Sequence, residues 1–248
     1  MIMRILVCND DGIDAPGLKL LEEVARRISD DVRVVAPDGK RTAASASITI
    51  GRPLTIKHLG GNRYSCSGTP ADCVVTAMTW LFKDGQQPDL VLAGINDGRN
   101  AAEDIIYSGT LGIAREATFW GVPAIGFSRV KNPDVRVGDA DFLARFVERL
   151  WTGRDAWALE GHWLSVNLPA ILPAKVAQPR IGRDKIGTIA EIVSEEDGQT
   201  VLIVPRGRAH SSTPGDENDL IDRGYICVNR LNWFGETGLE DEILERLG

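Results

Sequence analysis

Histidine is scarce in this chain, and cysteine is never spaced as it is in metal-binding motifs. The three histidines, His58, His162 and His210, are scattered along the sequence and give little support for a histidine-based metal cluster. None of the four cysteines falls in a Cys-x-x-Cys spacing, and each has apolar near neighbours. We therefore expect reduced, mostly buried thiols in a reducing compartment, without a zinc or disulfide role.

Long apolar runs are also missing, since none approaches the roughly 20 residues that a membrane-spanning helix requires. The N-terminus passes directly into a strand-like segment, without a charged leader or a small-residue cleavage site. The net charge of −7 argues against broad, non-specific binding of nucleic acids, which are polyanions. We therefore expect a cytoplasmic protein that binds neither a membrane nor a nucleic-acid duplex. A small anionic substrate is compatible with this charge, because a bound cation reverses the local field.

Strand-like and helix-like segments alternate through the first two thirds of the chain. Ile5 to Cys8 is a short apolar run, typical of a strand that is buried on both faces. Pro16 opens a helical pattern, and Val32 to Ala36 forms the next strand-like segment. Repeated alternation of this kind predicts parallel strands joined by right-handed crossovers. The predicted fold class is therefore α/β, with a doubly wound, mostly parallel sheet.

The predicted boundaries of later elements rest on helix caps and short apolar runs. Thr69 is a capping residue, Pro70 suits the first helical position, and Asp72 favours the positive end of the helix dipole. Further strands are predicted at Leu90–Ala93, Ala124–Phe127 and Trp163–Asn167, and further helices after Ser108 and after Asp139 or Asp141, one of which caps the helix.

The pattern changes in the last third of the chain. Ile189 to Ser194 and Thr200 to Val204 flank a short polar turn and predict a β-hairpin. Leu239 to Leu247 reads as a short amphipathic helix. We therefore divide the chain into an α/β core, residues 1–170, and a C-terminal extension, residues 171–248, which either packs on its own core or reaches a second subunit.

Two adjacent carboxylates, Asp10 and Asp11, stand where the first strand ends. Ligands of open α/β sheets bind at the carboxyl ends of strands. Adjacent carboxylates repel each other unless a cation or a shared proton relieves them. Oxygen ligands without a nearby histidine favour a hard cation such as Mg²⁺ or Mn²⁺. The alternative is an ordinary Asp-Gly turn that leads into the helix.

Three other polar clusters follow predicted strands or open a helix. Asn96, bracketed by Gly94 and Gly98, offers an amide oxygen that suits a hard cation, or serves as a turn residue. The loop from Thr42 to Ser47 offers hydroxyls, which in loops mostly bond to backbone. Ser108 to Thr110 forms either an anion site or an ordinary helix cap. A divalent cation beside an anion site is the arrangement of phosphate-ester chemistry.

Taken in their order along the chain, these clusters closely resemble those of the SurE family of survival proteins, which are metal-dependent nucleoside-monophosphate phosphatases. The resemblance runs in register over residues 3 to about 128 and continues more loosely at 165–169 and 224–226. The segments that carry it are Arg4–Gly12, Ala15–Gly17, Val34–Asp38, Ser45–Thr49, Gly68–Val74, Gly94–Asn100 and Tyr107–Thr110.

The resemblance implies hydrolysis of nucleoside 5′- or 3′-monophosphates with one divalent cation, Mg²⁺ or Mn²⁺. Asp10, Asp11 and Asn96 are the implied catalytic residues and metal ligands. The fourth ligand of the family is a serine, and the matching residue here is Thr42. The glycine that follows it in the family is Ala43 here, which is strained if that position requires a positive φ. The implied phosphate contacts are Ser108, Gly109 and Thr110, with Gly98 and Asn100 as neighbours.

The resemblance also implies a Rossmann-like core, a C-terminal extension exchanged between subunits, and a homodimer or homotetramer. Two alternatives come from other functional classes. One is a signalling receiver domain, which also places an acidic pair after its first strand to bind Mg²⁺. The other is a module that binds a nucleotide and a metal without turnover.

Overall fold

The computed structural model describes residues 3–183, 189–204 and 212–233. The strands are β1 (Arg4–Cys8), β2 (Asp31–Pro37), β3 (Ile56–Gly60), β4 (Arg63–Cys66), β5 (Leu90–Asp97), β6 (Ala124–Arg129), β7 (His162–Leu168), β8 (Val176–Ala177), β9 (Glu191–Glu196), β10 (Gln199–Ile203) and β11 (Ile226–Asn232). The helices are α1 (Pro16–Ile28), α2 (Pro70–Thr76), α3 (Asp104–Tyr107), α4 (Gly109–Phe119), α5 (Asp139–Thr152) and α6 (Glu217–Asp222).

Nine strands of the described residues form one sheet, in the order β3-β4-β2-β1-β5-β6-β7-β11-β8. The six strands from β4 to β7 in this order are mutually parallel. Numbered along the chain, these six follow the order 3-2-1-4-5-6, which is that of a Rossmann fold. The predicted α/β fold class is confirmed. The strand order reverses between β1 and β5, so the crevice for a ligand lies at the carboxyl ends of these two strands.

The side chains of β1 explain its position at the centre of the sheet. Ile5 and Val7 belong to one core cluster, which α1 and α5 cover, while Leu6 and Cys8 belong to a second, which α2 and α4 cover. All four side chains are fully buried, because a strand covered by helices on both faces has no polar face. The four cysteines are also buried, as expected.

The predicted starts of α1 and α2 are confirmed. Pro16 is the first residue of α1, and Thr69 and Asp72 form a complete capping box at α2. The predicted cap of α5 is wrong. Gly138 occupies that position without a side-chain hydrogen bond, and Asp139 instead pairs with Arg129 at 2.8 Å. Arg129 is 3% exposed, and a buried guanidinium requires a counter-charge more than a helix requires a cap.

The last third of the chain contributes to two sheets. The predicted hairpin is confirmed by β9 and β10, which pair antiparallel as a separate two-stranded sheet. Strand β11 returns to the main sheet and pairs antiparallel with β7. The predicted helix at 239–247 lies outside the described residues. Within the described ranges, the structure contains no helix whose length and hydropathy would let it cross a membrane.

Candidate active site

Asp10 lies at the end of β1 and contacts the first turn of α4. It is 6% exposed, and its Oδ1 accepts a 2.5 Å hydrogen bond from Thr110 Oγ1. A Cβ atom on Gly109 would lie 2.8 Å from Asp10 Cβ, closer than real Cβ contacts come. Gly109 therefore permits the carboxylate to approach the helix N-terminus. The fold thus brings together two predicted site segments that are 100 residues apart.

The surroundings of Asp10 disfavour a bare negative charge. Burial raises the pKa of Asp10 to about 6, the hydrogen bond from Thr110 opposes this rise, and the charge of Asp11 adds to it. A cation beside the pair would stabilise both ionised carboxylates. This arrangement fits the predicted metal site.

Asp11 connects the loop after β2 to the end of β5. Its Oδ2 accepts a hydrogen bond of 2.9 Å from the backbone N–H of Asp97, and its Oδ1 pairs with Lys40 Nζ at 2.5 Å. The hydrogen bond to Asp11 is the main cause that raises the pKa of Lys40. Because Asp97 contacts Asp11 directly, its neighbour Asn96 lies close to Asp11 as well. The Nδ2 of Asn96 donates to Gly98 O at 2.8 Å. This bond orients the amide and directs its oxygen away from Gly98.

Thr42, the predicted fourth ligand, lies in an exposed loop beside this pair. The loop is tied to β1 because the backbone N–H of Arg41 donates to Asp10 O at 2.7 Å. Ala43 has a φ of 57° and Ser45 a φ of 51°, both in the left-handed region that favours glycine. The strain considered for Ala43 is therefore present. Coordination by Thr42 stays a prediction.

The donor set determines which metal the residues fit. Within the described ranges, no group of three or more His, Cys, Asp or Glu side chains is placed to bind a metal ion. The predicted set has two carboxylates, so an amide oxygen and a hydroxyl must complete it. Such an all-oxygen set fits a hard divalent cation and does not fit zinc held by nitrogen or sulfur.

The predicted anion site is the N-terminus of α4. Ser108 caps the helix, and its Oγ accepts from the backbone N–H of Leu111 at 3.0 Å. The backbone N–H groups of Gly109 and Thr110 belong to the first turn, where the helix itself supplies no acceptor. Together with the helix dipole, they favour an anion beside Asp10.

Gly98 and Asn100 belong to a loop that follows β5. Gly98 has a φ of 125°, and its N–H donates to Arg129 O at 2.9 Å. Asn100 is 7% exposed, and its Nδ2 donates to Ser128 Oγ at 2.8 Å. This bond uses the Asn100 amide to hold the loop in place. The phosphate contacts of both residues stay predictions.

Two buried residues that the sequence analysis did not assign to the site hold the same loop. Asn167 Oδ1 accepts from the N–H of Asn100 at 3.0 Å, and Asn167 Nδ2 donates to Glu217 Oε1 at 2.9 Å. Glu217 Oε2 accepts from the N–H of Ala102 at 3.3 Å. Both side chains are fully buried. The looser similarity around 165–169 includes Asn167, whereas no local pattern marks Glu217.

A cavity of about 500 Å³ adjoins the carboxylate pair. Asp11, Lys40, Asn96, Asp97, Arg129 and Asn132 contribute its polar lining. The remaining lining comes from the start of α1, the end of β5 and the segment after β6: Ala15, Pro16, Gly17, Leu20, Ile95, Val130, Pro133 and Val135. The cavity is thus lined by both polar and apolar side chains.

Comparison with known proteins places the chain in a family. The family model described as Survival protein SurE matches residues 5–190. A protein of Rhizorhabdus wittichii named 5′-nucleotidase SurE is 47% identical over 247 residues, covering 93% of each chain. One of the same name from Paramagnetospirillum magneticum is 39% identical over 242 residues, covering 92% of this chain and 89% of the relative. The crystal structure of the SurE protein from Aquifex aeolicus superimposes with a TM-score of 0.78 at 27% identity, covering 98% of each chain. The chain described here belongs to the SurE family.

Proposed function

We propose that this protein is a metal-dependent phosphatase that hydrolyses nucleoside 5′-monophosphates to nucleoside and phosphate. The observation that carries the proposal is the contact of Asp10 with Thr110, which joins the carboxylate pair to the N-terminus of α4. A cation site and an anion site in direct contact suit a phosphate ester bound to both. The name 5′-nucleotidase SurE of the relatives supports the nucleotide as substrate.

The proposed metal ligands are Asp10, Asp11, Asn96 and Thr42. Their oxygen atoms suit Mg²⁺ or Mn²⁺. Such a cation, when bound, supplies polarisation of a phosphoryl oxygen and a lowered pKa for a bound water.

The residues at the N-terminus of α4 bind the phosphate. The N–H groups of Gly109 and Thr110 donate to its oxygens, and the Ser108 hydroxyl lies beside them. These groups are in place before the reaction, so they stabilise charge on the equatorial oxygens without reorganising. Thr110 Oγ1 also orients Asp10. We assign to Asp10 Oδ2 the acceptance of the proton from the attacking water, since Asp10 Oδ1 accepts from Thr110 and each oxygen of Asp11 contacts Asp97 or Lys40.

The test is phosphate release from AMP with Mg²⁺ or Mn²⁺, with and without a chelator. Asp10→Asn and Asp11→Asn should each lower kcat by about 1,000-fold or more, because each removes a charge from the metal site. Asp14→Asn is the matched control, since Asp14 is an exposed carboxylate of the same segment. Its activity should stay within about twofold of the wild type. Full activity of Asp10→Asn, or release that the chelator does not affect, would contradict the proposal.

The same experiment separates the alternatives. Membership of the SurE family does not favour a receiver domain, which would give stoichiometric phosphorylation of the protein. A binding module would retain AMP tightly without releasing phosphate.

We also propose that residues 1–170 form the catalytic core and that the extension, residues 171–248, joins subunits in a homodimer or homotetramer. The hairpin supports this proposal, because within the described residues β9 and β10 pair only with each other. Their apolar side chains are exposed; Ile192, for example, is 58% exposed and Val201 is 52% exposed. Exposed apolar surface of this kind is typical of an interface. Light scattering, which measures molar mass in solution, tests it.

A further inference from the structure

Lys40 lies among the carboxylates of the candidate metal site without being one of its proposed ligands. Its Nζ pairs with Asp11 Oδ1 at 2.5 Å, and Lys40 lines the cavity together with Asp11 and Asp97. The hydrogen bond to Asp11, and then the charges of Asp11, Asp97 and Asp10, raise the pKa of Lys40. The ammonium group therefore lies where negative charge is concentrated, which is also where the proposed ligands would hold a divalent cation.

The backbone around Lys40 is fixed, whereas its side chain is free to move. The N–H of Arg41 donates to Asp10 O at 2.7 Å. Gly12 packs against the residue before Lys40, where an added Cβ on Gly12 would lie 3.1 Å from the carbonyl carbon. Lysine has a flexible four-carbon stem, and the side chain of Lys40 is 51% exposed. The ammonium group can therefore leave Asp11 without a movement of the loop.

Asp11, in contrast, requires a positive partner in place. Its side chain is only 8% exposed, and a carboxylate removed from water is costly unless it is paired. The N–H of Asp97 donates to one oxygen but carries no full charge, so the counter-charge comes from Lys40. A divalent cation held by Asp11 would supply the same counter-charge. Two positive groups at one carboxylate repel each other, so Lys40 and the cation compete for Asp11.

We propose that Lys40 is an exchangeable counter-ion, which pairs with Asp11 until the cation binds and then donates to an oxygen of the substrate phosphate. The inference rests on the proposed function, which assigns both Asp11 and the phosphate to the same cation. Two ligands of one cation are neighbours, so the phosphate lies within reach of the ammonium group that leaves Asp11. Hydrogen bonds from an ammonium group to phosphate are charge-assisted and therefore strong. Lys40 is thus a further substrate-binding residue.

The exchange predicts that the cation and the phosphate strengthen each other's binding. The cation alone must break the pair between Lys40 and Asp11, which weakens its binding. The phosphate gives Lys40 a new partner, which recovers part of that loss. Coupling between two ligands is reciprocal, so it can be measured from either one. Direct contact between phosphate and cation contributes coupling in every variant, and the contribution of Lys40 is the difference between variants.

Lys40→Met tests the exchange, because methionine is also long and unbranched but carries no charge. Lys19→Met is the matched control, since Lys19 is exposed on α1 and outside the cavity lining. Calorimetry measures the binding of Mn²⁺ with and without saturating inorganic phosphate, so the readout does not depend on hydrolysis.

Lys40→Met should bind Mn²⁺ alone about 10-fold more tightly than the wild type. The factor by which phosphate tightens Mn²⁺ binding should fall by about 10-fold in the same variant. Both quantities should stay within about twofold of the wild type in Lys19→Met. Lys40→Arg keeps the positive charge and should retain most of the coupling.

The possible failures differ in what they exclude. Equal or weaker binding of Mn²⁺ by Lys40→Met, with metal-dependent hydrolysis of AMP by the wild type, would overturn the competition and leave the proposed function standing. Tighter Mn²⁺ binding with unchanged coupling would overturn the contact between Lys40 and phosphate. Tighter binding and reduced coupling in Lys40→Met, without hydrolysis of any phosphate ester by the wild type, would support the exchange and contradict the proposed function.

Discussion

The two sides of the candidate site differ in how firmly the fold holds them. On one side, Asp10 accepts a hydrogen bond from Thr110, and the backbone N–H groups of the loop after β5 donate to the buried side chains of Asn167 and Glu217. On the other side, the loop that carries Thr42 is tied down on both sides of Thr42, at Arg41 and Ser45, but Thr42 and Ala43 themselves are exposed, and Ala43 adopts a left-handed conformation. We call the first the firm side and the second, Thr42 and Ala43, the loose side. The firm side contains the buried carboxylate of Asp10, whereas the loose side supplies the neutral hydroxyl of Thr42. The fold therefore fixes the position of the buried charge, whose displacement would cost the most free energy.

Among substitutions outside the proposed metal ligands, the largest effect is expected when the firm side is broken at its closest contact. In Gly109→Ala, the new Cβ would collide with Asp10 and push the carboxylate away from the helix. We expect kcat for AMP to fall by about 100-fold or more, since displacement of about 1 Å has this effect on catalytic groups. Gly138→Ala is the control, because a Cβ there has no neighbour within 4 Å. Similar kcat values for both variants would show that the contact is unimportant.

A smaller effect is expected when the firm side is disturbed from a distance. The two carboxylate oxygens of Glu217 accept from the N–H of Ala102 and from Nδ2 of Asn167. In Glu217→Gln one of these oxygens becomes an NH₂ group, so one of the two donors faces another donor and loses its acceptor. Leaving a buried donor unpaired should lower the free energy of unfolding by about 1–3 kcal/mol, measured by urea titration. It should also raise KM for AMP more than it changes kcat, because Glu217 positions the loop without touching the reacting atoms.

Glu148→Gln provides the comparison for this variant, since Glu148 is exposed on α5. It should change the free energy of unfolding by less than about 0.5 kcal/mol. If Glu217→Gln lowers stability but leaves KM for AMP at the wild-type value, Glu217 is structural only. In that case Glu217 would not belong to the part of the structure that positions the candidate site.

The smallest effect is expected from relief of strain on the loose side. Ala43→Gly removes the Cβ that makes a φ of 57° unfavourable, so the protein should gain about 0.5–1 kcal/mol of stability. Thermal unfolding measures this gain. Ala44→Gly is the matched control, because Ala44 is not among the residues with positive φ and glycine there should destabilise. Destabilisation by both variants would show that Ala43 is not strained.

Local patterns predicted much of the fold. The apolar run of β1, Pro16 at the start of α1 and the capping box at α2 depend on residues close together in the chain, so their sequence shows them. The cap of α5 was mispredicted for the opposite reason. Asp139 has a partner on β6, and no local pattern reveals that Arg129 lies beneath it.

The sequence by itself determined the order of the main strands and helices up to β7, the hairpin of β9 and β10, and the positions of polar residues at strand ends, because periodicity and caps are short-range properties. It did not predict α3, β8, α6 or β11. Only the tertiary structure decided which of these residues meet. Thr110 reaches Asp10 across 100 residues, and Glu217 reaches Ala102 across 115. Contacts over such separations depend on the order of strands in the sheet and on packing of its two faces. They leave no periodic trace in the chain, so their geometry could be read only from the folded protein.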